Sequence, residues 1–169
     1  MTFSRSASSM PQKGGLFRLL RALDDARVEF IVVGGLAAVL GGAPINTFDL
    51  DVVRSRDEAN IARLLAVLEE LDAVYRIQPE RRIRPDASHL DSGRHQNRIT
   101  RYGPFDLLGP VGRNLAYDDL LPHSVEMDVG EGVLVKVLDL ETLIAIKEEL
   151  GGEKDRAVLP RLRRTLDER

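Results

Sequence analysis

The stretch that decides the fold is residues 30–53, FIVVGGLAAVLGGAPINTFDLDVV. The β-branched and aromatic run at 28–33 suits a strand buried on both faces, and it ends on Gly34-Gly35. Residues 36–40 read as a short helix starting at those glycines. Gly41-Gly42-Ala43-Pro44 stops it, because proline disfavours helix in the residue before it. Phe48-Asp49-Leu50-Asp51-Val52-Val53 then alternates with period two. That pattern predicts a strand with Phe48, Leu50 and Val52 on a core face and Asp49 and Asp51 on the other. The two aspartates stand about 6.6 Å apart along such a strand, close enough to ligate one divalent ion or to share a metal pair. The other reading is the solvated face of an edge strand, since like charges need a cation or open water. Gly34-Gly35 either ends the strand or lets backbone N–H groups at the helix start approach phosphate oxygens.

Working outward, Leu16, Phe17, Leu20 and Leu23 have helical spacing. Ser55 and Glu58 form a capping-box pattern ahead of a helix marked by Ile61, Leu64, Leu65, Leu68 and Leu71. From Tyr75 to Arg98 periodicity fails, and the stretch reads as one short strand and a long arginine-rich loop. Arg81, Arg82, Arg84, Arg94 and Arg98 lack the interleaved aromatics of a nucleic-acid surface, and His89 and His95 lack helical metal-ligand spacing. Residues 97–102 and 105–108 suggest two strand segments about Gly103-Pro104. Asp106 lies between apolar neighbours, where a carboxylate calls for a cationic partner, a metal or an arginine. Residues 125–129 and 133–137 read as a hairpin. Asp139 caps a helix ended by Gly151-Gly152, and 154–166 is helical in composition with Pro160 expected to kink or divide it. Leu115, Tyr117, Leu120 and Leu121 cover either the core or a partner.

The order of elements predicts one α+β domain over 16–169 with a mixed β-sheet and flanking helices, preceded by a disordered leader at 1–15. At 169 residues the chain is long enough for a single core. With 24 Lys and Arg against 27 Asp and Glu, it has no general attraction to nucleic acid or anionic membrane. No cysteine is present, which excludes a disulfide framework and a thiolate metal site. The longest uncharged stretch is broken by glycines and a proline, so no membrane span is expected. A cytoplasmic location is the expectation.

Gly34-Gly35 followed by Asp49-x-Asp51 on an apolar strand resembles the signature of the nucleotidyltransferase superfamily with the DNA polymerase beta-like fold. Tyr102-Gly103-Pro104-Phe105-Asp106-Leu107-Leu108 resembles the strand that brings the third carboxylate. The run from Val137 to Lys147, closed by Lys154-Asp155, is similar to small bacterial proteins near the AbiEii-type toxins and the minimal nucleotidyltransferases. The resemblance implies magnesium- or manganese-dependent transfer of a nucleoside monophosphate from a nucleoside triphosphate, such as ATP, to an acceptor it does not identify. A small molecule, a protein or a tRNA all fit, with a toxin–antitoxin context and a protein partner among the implications. On it, Asp49, Asp51 and Asp106 ligate the metals, Asp106 also takes the acceptor's proton, and Gly34, Gly35, Lys147 and Lys154 meet the nucleotide. Gly41 and Ile45 stand where relatives often carry a histidine and an arginine. That departure motivates a second expectation, an inactive nucleotide-binding or antitoxin-like interaction module. A purely structural domain whose aspartates face water is the third.

Overall fold

The computed structural model describes residues 5–6 and 14–169. Its strands are β1 (Arg5–Ser6), β2 (Phe30–Val33), β3 (Leu50–Arg54), β4 (Val74–Tyr75), β5 (Gln96–Thr100), β6 (Gly103–Leu108), β7 (Ser124–Asp128) and β8 (Leu134–Leu138). The helices are α1 (Gly15–Asp25), α2 (Gly34–Leu40), α3 (Glu58–Glu70), α4 (Ala87–Asp91), α5 (Tyr117–Leu120), α6 (Leu140–Leu150) and α7 (Glu153–Asp167). One sheet has the order β1-β7-β8-β2-β3-β6-β5-β4. It is mixed: β2 runs parallel to β8 and antiparallel to β3, and β3 runs parallel to β6. The architecture is α+β with flanking helices. Of the expected leader, Arg5–Ser6 pair with β7, and Gly14-Gly15 lead into α1; its remainder lies outside the described residues. Among the described residues no helix is long and apolar enough to cross a membrane.

All four residues of β2 are buried, as an apolar run covered on both faces requires. Its residues share one buried cluster with Leu19, Leu20 and Leu23 of α1, Leu64 and Leu68 of α3, and Leu143 and Ile144 of α6. The β7–β8 hairpin forms as its alternation predicts. Asp139 accepts a hydrogen bond from the Thr142 amide at 2.7 Å, and Gly151 ends α6 with φ of 63°, a conformation open to glycine at little cost. Tyr117 and Leu120 are buried, so that segment covers the core.

Four sequence expectations change. Phe48 is 82% exposed, because the regular strand begins only at Leu50 and the alternation does not extend back to it. Ser55 and Glu58 make no capping box: the N-cap of α3 is Asp57, and the Ser55 hydroxyl accepts from the Asp57 amide instead. The long loop contains α4, whose N-cap Asp86 and His89 exchange hydrogen bonds. Pro160 does not divide α7, which stays continuous as Leu159 and Leu162 are buried and the helix packs on α6.

Candidate functional site

The parallel pairing of β3 with β6 sets Asp51 directly beside Asp106. Register partners point to the same face, and neighbouring strands are about 4.8 Å apart, so the two carboxylates are lateral neighbours. The row extends both ways. Asp51 is paired with Val33, the last residue before α2, and Asp106 with Asn97 of β5. Beyond Asn97, the Arg76 amide donates to the Asn97 carbonyl at 3.1 Å. Thus Val33, Asp51, Asp106, Asn97 and Arg76 form one line across four strands and the residue that follows β4.

Gly34 explains how α2 reaches this line. Its φ is 66°, and a Cβ there would run into the Asp51 carboxylate. Only glycine brings the helix start this close to Asp51 without strain. A Cβ on Gly35 would lie 2.9 Å from the Thr47 hydroxyl oxygen, and that hydroxyl donates to the Asp49 carbonyl at 3.4 Å. The diglycine, the loop before β3 and Asp49 are therefore packed together at one end of the strand.

Burial raises the Asp51 pKa above its ordinary value, and the charge of Asp49 adds to the rise; Arg76 and Lys147 oppose it. Asp106 is 9% exposed, and its Oδ1 accepts a hydrogen bond from Nη2 of Arg76 in an ion pair. The cation anticipated for Asp106 is thus an arginine in this structure. Arg76 itself was not singled out by the sequence. No local pattern marks it: a residue leaving the edge strand β4 falls in the same row as Asp106 only once β4 has paired with β5 and β5 with β6. Among the described residues no group of three or more His, Asp or Glu is placed to hold a metal ion.

Of the two lysines, Lys147 is half-buried, bears on the charge of Asp51 and bonds Oδ1 of Asp155 at 3.1 Å. Lys154 is exposed in the first turn of α7. The structure brings Asp51, Asp106, Gly34 and Lys147 into one neighbourhood, with Asp49 two residues along from Asp51; Arg76 and Lys147 are the cations that bear on Asp51.

No protein-family model matches the chain, and no curated protein does. Among solved structures it is similar to the crystal structure of a protein named a "putative nucleotidyltransferase" from Thermotoga maritima, at a TM-score of 0.55 and 18% identity over 91% of each chain. At that identity the likeness is one of fold.

Proposed function

We propose that the chain is a nucleotidyltransferase with the DNA polymerase beta-like fold, moving a nucleoside monophosphate from a nucleoside triphosphate to an acceptor with release of pyrophosphate. One observation carries this reading: Asp51 and Asp106 are register partners on parallel strands, beside a helix start that only glycine brings so close. Shared chain order of diglycine, Asp-x-Asp and third carboxylate supports it, as does the fold likeness to a protein that bears this name. The similarity of the late run to AbiEii-toxin-like and minimal nucleotidyltransferases extends the proposal to that branch, to a toxin–antitoxin setting and to the cytoplasm.

The donor set fits a hard divalent cation, magnesium or manganese. Such an ion is held by one or two carboxylates together with substrate phosphates and does not require a cage of three protein ligands. Asp51 and Asp106 would hold it, with Asp49 next along β3. Bound there, it would neutralise charge developing on the transferred phosphoryl group. The chain's own parts would do the rest. Backbone N–H groups of the first turn of α2 lack helical partners and lie beside Asp51, where they would orient phosphate oxygens. Lys147 would add a point charge from the α6 side. Asp106 would accept the proton of the acceptor hydroxyl.

Incubation with triphosphates labelled at the α-phosphate, magnesium and a cell extract tests the reading. Label should move to an acceptor with wild type, and Asp51→Asn or Asp106→Asn should lower transfer about 10²–10³-fold, the range for loss of one group that stabilises developing charge. Transfer unchanged by both substitutions would refute it. A second reading, a nucleotide-binding module of the same fold without turnover, is favoured by one observation: Arg76 is bonded to Asp106. Magnesium-dependent triphosphate binding without any label transfer would select it.

A further inference from the structure

Arg76 is joined to the site by one thin connection. It follows the two-residue edge strand β4, and its main chain is tied to β5 through the Asn97 carbonyl. Its side chain is 36% exposed, while that of Asp106 is 12% exposed. The guanidinium meets Asp106 through Nη2 alone, and its buried Nε has no hydrogen-bond partner. A planar fork that matches a carboxylate with two donors is used here with one. The contact therefore compensates a buried carboxylate through a single donor and leaves the rest of the fork unused.

Asp51 stands on the other side of Asp106 and makes no ion pair among the described residues. A cation between Asp51 and Asp106 and a guanidinium on Asp106 would supply the same compensation to the same carboxylate. They are alternatives. We propose that Arg76 is the built-in competitor of the divalent cation at Asp106, and that cation entry frees its guanidinium to pair with the triphosphate. This rests on the nucleotidyltransferase reading. Exchange of a carboxylate for phosphate oxygens suits arginine, whose donors fit either group. The device would keep the buried carboxylate compensated before loading and would couple cation entry to nucleotide capture.

Calorimetric titration with manganese, without nucleotide, tests the exchange on wild type, Arg76→Met, Arg76→Lys and Asp51→Asn. Arg76→Met keeps the aliphatic stem and should bind manganese about tenfold more tightly, the factor expected when one charge-assisted hydrogen bond no longer has to be broken. The gain should vanish in Arg76→Met combined with Asp106→Asn. Arg76→Lys, which retains a cation beneath the fold, should give a smaller gain. In EDTA, Arg76→Met should melt below wild type, and manganese should close the gap. If neither Arg76 variant binds more tightly while Asp51→Asn abolishes wild-type binding, the competitor role is wrong and the carboxylate site stands. If manganese binds none of the proteins, the inference falls together with the cation-dependent reading beneath it.

Discussion

Strands β2 and β5 belong to one sheet, separated by β3 and β6, and they bury opposite chemistry. In β2 every side chain is apolar and enclosed by leucines, valines and isoleucines. In β5 the enclosed residues are Gln96, Arg98 and Thr100. Arg98 is wholly buried with its guanidinium 3.6 Å from the Tyr75 ring centroid; Nη2 donates to Gln96 Oε1 at 2.7 Å, and Nε and Nη1 have no partner. Burial lowers its pKa, as it does that of Arg54, pulled down to about 10. Arg54 is better satisfied, donating to the Leu90 and Leu108 carbonyls and so tying α4 to the end of β6. The lesson is that one half of the sheet buries apolar area, while the other buries arginines that find neutral oxygens and a ring for some of their donors and leave others unpaired. The carboxylate pair lies at the seam, touched by Gly34 from the apolar half and by Arg76 from the arginine half.

The contrast can be broken by substitution. Ile31→Ala, in the apolar half, should cost about 2–5 kcal/mol in chemical denaturation, the range for truncating a buried isoleucine. A cost under about 1 kcal/mol would mean that β2 is not the core strand described. Gly34→Ala imposes positive φ on alanine and a clash with Asp51, and should cost about 1–3 kcal/mol, with manganese binding lost as well. Stability and binding equal to wild type would show that the close approach is not required. Arg98→Met should leave stability within about 1 kcal/mol of wild type or raise it, because an apolar side chain of similar volume removes a buried charge and two orphaned donors. A loss like that of Ile31→Ala would show that Arg98 holds its half of the sheet as Ile31 holds the other.

The smallest effect is expected at the seam and depends on pH. The folded-state pKa of Asp51 lies above its ordinary value of 3.8, so the folded state holds this proton more tightly than the unfolded chain. Stability from this group is present below the ordinary carboxylate range and is lost as pH rises through the raised value. Asp51→Asn should therefore melt no more than about 2–4 °C above wild type near neutral pH, the effect being limited by solvent screening of a half-buried group. The difference should disappear below the carboxylate range. A destabilised Asp51→Asn at neutral pH would mean that Arg76 and Lys147 outweigh burial and Asp49.

Legibility in the sequence followed the same division. The strand at 30–33, the hairpin and the Asp139 cap were plain because their information is local: uninterrupted apolar runs, period-two alternation and a capping side chain. The placement of Asp51 and Asp106 on adjoining strands came only with the resemblance, since pairing between β3 and β6 joins residues more than fifty positions apart.

 The short α4 escaped because its capping residues sit in a stretch dominated by arginine and proline, where no apolar stripe marks a helix. Phe48 misled because alternation was carried back two residues ahead of the start of the regular strand. Arg76 was invisible for a different reason: its role depends on where a two-residue edge strand leaves the sheet, which no local pattern encodes.

The central claim is that Asp51 and Asp106 together form a cation-dependent triphosphate site, and binding tests it without knowledge of the acceptor. A non-hydrolysable triphosphate analogue is titrated calorimetrically into wild type with magnesium and again in EDTA, then into Asp51→Asn and Asp106→Asn with magnesium. The account predicts heat of binding for wild type with magnesium alone, and its loss in EDTA and in both variants. Equal binding with and without magnesium, or binding untouched by either substitution, would contradict it.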